Sequence, residues 1–210
     1  MGQKANINSL HVSRNKDWNS AWYANNKDYS KILIQDLAMF NYLKSCDTFS
    51  EHSEVVKMRI CRISKNVVVD LQLANGLGPN SVSSLQIVVS SVKSFSPNFD
   101  RIFIVSKVLN ANELKIEPIY VAKKIARLVE NRIRFKSYLV KNLVNQTFAM
   151  CSGVKILCKG RLNGADMADK DFLTLGSIPF QTLAAQINYG FSVANTAKGL
   201  QSVKVWICNK

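Results

Sequence analysis

Two stretches of this chain carry side chains at spacings suited to binding phosphate. The first is Gly160-Arg161-Leu162-Asn163-Gly164, a glycine-bounded turn that follows a strand-like run bearing Lys155 and Lys159. An arginine on a tight turn offers a planar fork of donors that fits a phosphate or a base edge, whereas the lysines act as point charges. The competing reading is a loop arginine satisfied by a carboxylate such as Asp166 or Asp169. The second stretch holds Lys123, Lys124, Arg127, Arg132, Arg134, Lys136 and Lys141. In one unbroken helix at about 100° per residue, Lys123, Arg127, Arg134 and Lys141 would line a single stripe, but Arg132 and Lys136 would fall on the apolar face. A break near Asn131 to Arg134 removes that conflict and predicts two successive helices.

Catalysis is not suggested by the remaining polar residues. Neither histidine, His11 or His52, stands near a plausible nucleophile, and Asp166, Asp169 and Asp171 form no acid–base pair. The five cysteines, at 46, 61, 151, 158 and 208, have no C-x-x-C spacing, so they read as reduced, small hydrophobes and not as zinc ligands. The expectation is a protein that is not an enzyme, with no cofactor, no metal and no small-molecule substrate.

Composition points the same way. The 210 residues carry 28 Lys+Arg against 14 Asp+Glu, a formal charge of +14 and a pI near 9.7, the footprint of a phosphate-rich partner. Residues 1–100 hold 11 basic and 8 acidic side chains, whereas residues 101–210 hold 17 and 6, so the C-terminal half should supply most phosphate contacts. No apolar stretch is long enough to cross a bilayer, and no membrane partner is expected.

The elements that must position these residues follow from periodicity. Tyr29 to Leu43 carries Ile32, Leu33, Ala38 (or Leu37), Phe40 and Leu43 at helical spacing. Val55–Ile63 and Asn66–Leu73 read as strands, the second with Val67, Val69, Leu71 and Leu73 on one side and Val68, Asp70 and Gln72 on the other. A Gly-rich turn, Gly76-Leu77-Gly78-Pro79, precedes Val82, Leu85, Val89 and Val92 at helical spacing, and Arg101–Val108 reads as another strand.

The C-terminal segments Gly153-Val154-Lys155-Ile156-Leu157-Cys158-Lys159-Gly160-Arg161-Leu162-Asn163-Gly164-Ala165, Ile178-Pro179-Phe180-Gln181-Thr182-Leu183 and Val203-Lys204-Val205-Trp206-Ile207 occur in an order that resembles the small-subunit ribosomal proteins of the uS3 family. Met1-Gly2-Gln3-Lys4 and the Trp18-Asn19-Ser20-Ala21-Trp22-Tyr23-Ala24-Asn25 segment resemble the start of that family independently. The resemblance implies an α+β fold: a degenerate type II KH-like domain, then a second α+β domain with two helices packed on a β-sheet. It divides the chain into an N-terminal arm and helix (1–45), the KH-like domain (46–111) and an rRNA-binding domain (112–210).

A KH module grips single-stranded RNA through a Gly-x-x-Gly loop, because only glycine lets the backbone approach phosphates so closely. The matching tetrad here ends in Pro79 and has no basic residue, so a plain turn is the better reading of that loop. The family places basic side chains of a helix along the channel through which messenger RNA (mRNA) enters. The matching positions are Lys136, Ser137, Val140 and Lys141, of which two remain basic, so any unwinding of incoming mRNA is weakened or moved.

The implied partners are small-subunit rRNA, mRNA and neighbouring proteins of the subunit head. The candidate RNA contacts are Lys4, Lys16, Lys123, Arg127, Arg132, Arg134, Lys136, Lys141, Lys155, Lys159 and Arg161. The Met1 start without a leader and the excess of Lys over Arg fit a eubacterium or an organelle genome alike, and the degenerate loop favours a mitochondrial ribosome, with the bacterial cytoplasm as the alternative. A free KH-type regulator of transcripts is the competing function, and a nuclease a more distant one.

Overall fold

The computed structural model describes residues 5–12, 14–45, 55–63, 66–74 and 101–209. The loop Gly76-Leu77-Gly78-Pro79, the following helical spacing and Lys4 lie outside these residues. Contacts group the chain into two compact units, residues 1–17 with 111–210, and residues 18–110. The first residues go with the C-terminal segment because Ile7 packs on Ile187 and Cys208, and because Asn8 and Asn15 donate to the carbonyls of Tyr189 and Leu183.

In the unit of residues 18–110, four strands, β1 (Ser20–Ala21), β2 (Val55–Ile63), β3 (Asn66–Leu73) and β4 (Arg101–Val108), lie in that order in one sheet. The β2–β3 pair is antiparallel, and β1 and β4 run parallel to their neighbours. The alternation expected of β3 is realised: Val67, Val69, Leu71 and Leu73 are fully buried and the residues between them are not.

Among the described residues of this unit there is one long helix, α2 (Asn26–Ser45), which follows in sequence the short α1 (Ile7–Leu10) of the other unit. Its packing face differs from the apolar spacing, because Met39, Phe40 and Tyr42 join the core whereas Leu33 and Leu37 are exposed. Asp36 is buried instead, because it meets Arg62 of β2 and the indole of Trp22. A buried carboxylate is tolerated only with such partners.

The other unit has four antiparallel strands, β5 (Gly153–Gly160), β6 (Asp169–Gly176), β7 (Ile187–Thr196) and β8 (Gly199–Cys208), ordered β6-β5-β8-β7. The helices α3 (Ala111–Ile116), α4 (Pro118–Glu130) and α5 (Tyr138–Phe148) belong to this unit. Val121, Ile125 and Val129 of α4 and Val140 and Val144 of α5 share a core with Val154, Ile156, Val203, Val205 and Ile207 of the sheet. Pro118 opens α4 at a position where a missing N–H costs nothing.

The predicted break is present. Helix α4 ends at Glu130, Arg132 has a left-handed φ of 61°, and α5 starts after Ser137. Arg132, Arg134 and Lys136 thus leave the apolar face and become exposed, while Phe135 is buried.

Candidate nucleic-acid interface

The turn between α4 and α5 and the glycine-bounded turn after β5 meet across a groove of about 490 Å³ lined by Arg134, Phe135, Lys136, Ser137, Leu162, Asn163 and Asp171. The two stretches that the sequence singled out for phosphate chemistry are therefore neighbours in space. Phe135 and Leu162 form the apolar part of the groove, and Arg134 and Lys136 give it positive charge.

Lys136 pairs with Asp171 of β6 at 2.9 Å, with the lysine side chain largely exposed. An exposed pair of this kind contributes under about 1 kcal/mol, so an RNA phosphate can compete for the ammonium.

Arg161 divides its donors. Its Nε donates to the carbonyl of Ala165 at 2.7 Å and its Nη2 lies 3.6 Å from the exposed carboxylate of Asp166, the first of the two carboxylates foreseen as competitors. The Ala165 bond fixes the plane of the guanidinium. The turn itself needs unusual backbone, with φ of 140° at Gly160, 55° at Asn163 and 79° at Gly164, a range that glycine and asparagine enter at least cost. Gln201 clamps the turn by donating to the Arg161 carbonyl.

The remaining predicted contacts separate. Lys123 and Arg127 lie on α4 and Lys141 on α5, with Arg127 and Lys141 exposed. Val140, one of the positions matched to the channel helix, is fully buried, so no side chain there reaches solvent. Lys16 is turned inward: its ammonium donates to Asn8 Oδ1 at 2.8 Å and to the Ile187 carbonyl at 2.5 Å, holding the N-terminal arm on β7. That lysine thus has a packing role beside its expected one as an RNA contact.

Lys155 and Lys159 point away from the helices, on the open face of the sheet, and Lys155 sits 5.4 Å over the ring of Phe180. Sequence reasoning missed Lys170, Phe172, Phe191 and Lys204 on this same face. The period of two in β6, β7 and β8 was the signal that would have found them.

Burial, and secondarily the Asp171 carboxylate, pushes the Cys158 thiol up to about 11, and burial raises the Tyr189 hydroxyl above its ordinary value. The four described cysteines, Cys61, Cys151, Cys158 and Cys208, are free thiols. Among the described residues no group of three or more His, Cys, Asp or Glu converges as a metal site, and no helix is long and apolar enough to cross a membrane.

Residues 125–207 match the family model for ribosomal protein S3, C-terminal domain. The small ribosomal subunit protein uS3 of Clostridium tetani is 31% identical over 99% of this chain and 92% of its own length. The uS3 proteins of Finegoldia magna and Dictyoglomus turgidum are 33% and 32% identical, each over 99% of this chain and 83% of the relative. Likeness of that extent, running through both units, means that the chain belongs to the uS3 family of small ribosomal subunit proteins.

Proposed function

We propose that the protein is a structural, RNA-binding constituent of the small ribosomal subunit that supports translation by neutralising and shaping rRNA, not by turnover. The observation that carries this reading is similarity to small-subunit proteins along 99% of the chain. The charge of +14 and the convergence of Arg134 and Lys136 with the glycine-bounded turn fit it.

Finer assignments extend that reading. Within residues 112–210, Lys123, Arg127, Arg132, Arg134, Lys136, Lys141, Lys155, Lys159 and Arg161 are the proposed rRNA contacts, with Lys136 and Lys141 bordering the channel through which mRNA enters. Lys4 and Lys16 of the N-terminal arm complete the proposed set, with the Lys16 ammonium also bonded to Asn8 and the Ile187 carbonyl. Residues 46–111 are read as a degenerate KH-like domain whose loop, Gly76-Leu77-Gly78-Pro79, lacks basic side chains, and neighbouring head proteins would supply the contacts it has lost. Similarity to bacterial proteins fits a bacterial-type ribosome, and a mitochondrial one is the specific form favoured by the lysine-rich, degenerate sequence.

Sedimentation of a gentle lysate through a magnesium-containing sucrose gradient tests the function. Co-migration with the small-subunit rRNA peak through moderate salt is the expected outcome. A position among free proteins would overturn the reading and favour a regulator of transcripts.

A further inference from the structure

The sheet of residues 153–208 buries one face under helices, yet its other face is only half covered. At one end, Ile7 of the N-terminal arm lies against Ile187 and Cys208, with Phe180, Ala185 and Trp206 packed around them. Beyond this cover the face is open. Strand register there aligns Phe172, Leu157, Lys204 and Phe191 in one row across all four strands, and Lys170 and Lys159 stand side by side in the next row.

The exposed residues are chemically specific. Phe172 and Phe191 are 57% and 48% exposed and share this face with exposed Val193 and Leu200, an apolar patch of the kind that marks an interaction site. With strands spaced about 4.8 Å apart, the two rings stand roughly 14 Å from one another, and Lys204 lies in the same row between them. No position of β5, β6, β7 or β8 on this face is Asp or Glu. Positive charge without a compensating carboxylate selects a polyanion, and flat aromatic rings on a sheet select one whose bases are free to stack. A duplex hides those base faces.

We propose that this open face binds single-stranded RNA, with bases stacked on Phe172 and Phe191 and phosphates met by Lys159, Lys170 and Lys204. The surface is distinct from the groove beside Arg134 and Lys136, and the proposal rests on the RNA-binding reading given above while adding a mode of recognition to it.

The test uses the full chain and a labelled, mixed-sequence, single-stranded RNA of about 12 nucleotides, within the span that such platforms cover. Phe172→Leu and Phe191→Leu keep apolar area but remove the stacking ring, and each should weaken binding roughly tenfold, as loss of one stacked base does. Phe172→Tyr keeps a ring and should bind as the wild type does. Neither leucine variant should change the salt slope, whereas Lys159→Gln and Lys204→Gln should each lower it by about 1. The duplex of the same sequence should bind more weakly and respond equally in all Phe variants. Wild-type affinity in both leucine variants would overturn the proposal and leave the face to an acidic protein partner. Co-sedimentation of those same variants with the small subunit would then show that only this inference, and not the ribosomal reading, has failed.

Discussion

The buried cluster of Asp36, Arg62 and Trp22 should decide whether the unit of residues 18–110 holds together. Asp36 accepts from Arg62 Nε at 2.8 Å and from Trp22 Nε1 at 2.6 Å, and the Asp36 and Arg62 side chains are only 3% and 6% exposed. Removing the carboxylate by Asp36→Ala takes the acceptor from the Trp22 indole N–H and the ion-pair partner from a buried guanidinium, which keeps its bonds to Gln35 Oε1 and the Ile32 carbonyl. Breaking a buried ion pair from one side costs about 3–5 kcal/mol, since the surviving charge has lost its compensation. Taking about 4 kcal/mol and a urea dependence near 2 kcal/mol per molar, the unfolding midpoint should fall by about 2 M. Urea titration followed by circular dichroism and tryptophan fluorescence reads that shift, with Trp18 and Trp22 reporting on this unit. The double variant Asp36→Leu with Arg62→Met should recover most of the loss, because an apolar replacement of similar volume removes both charges together. A shift below about 0.5 M in Asp36→Ala, or no recovery in the double variant, would refute the view that these side chains act as one buried pair.

Other perturbations test packing, chemistry and charge separately. A Cβ on Gly190 would stand 2.3 Å from the Pro118 carbonyl carbon and 2.6 Å from the Ile119 nitrogen, so Gly190→Ala should push α4 off β7 and cost about 3 kcal/mol in a thermal melt. Gly199, with φ of 118° but no atom within 4 Å of its built Cβ, should lose about 1–2 kcal/mol from backbone strain alone, and equal losses at the two sites would contradict the contact argument. Because the Cys158 thiol is raised to about 11, it should stay protonated and resist Ellman's reagent at pH 8 while half-buried Cys61 reacts. The sign follows: the folded state holds that proton more tightly, so this thiol's contribution to stability is intact below its ordinary value of 9.0 and is lost as pH rises towards 11. Arg134→Gln should weaken RNA binding uniformly across sequences and reduce the salt slope by about 1, and an unchanged slope would remove Arg134 from the proposed phosphate contacts.

Local conflicts in the sequence were the most legible features. The break between α4 and α5 could be read because an unbroken helix would have buried Arg132 and Lys136, and the structure resolves that conflict by a left-handed Arg132 and a new helix start. The β3 alternation was legible for the same reason, since a one-residue slip would put Asp70 and Gln72 into the core. Asp36 was not legible. Between Leu33 and Met39 a carboxylate reads as a solvent position, and only the packing of α2 on β2 brings Arg62 to it.

Lys16 shows the same limit for function. Its charge and place in a basic arm suggest phosphate, and nothing nearby in sequence announces that its ammonium reaches a carbonyl 171 residues away. The groove beside Arg134 is the converse case. Residue types and spacing marked the turn at 131–137 and the turn at 160–164 independently, each for its own chemistry. The fold then brings them together, because α5 packs over β5 and β6, so that the glycine turn ending β5 stands beside the break that precedes α5. Residue types and spacing therefore suffice to name Arg134, Lys136 and Arg161 as candidates, whereas which donors are already spent, as for Lys16 and in part for Arg161, is visible only in the tertiary structure.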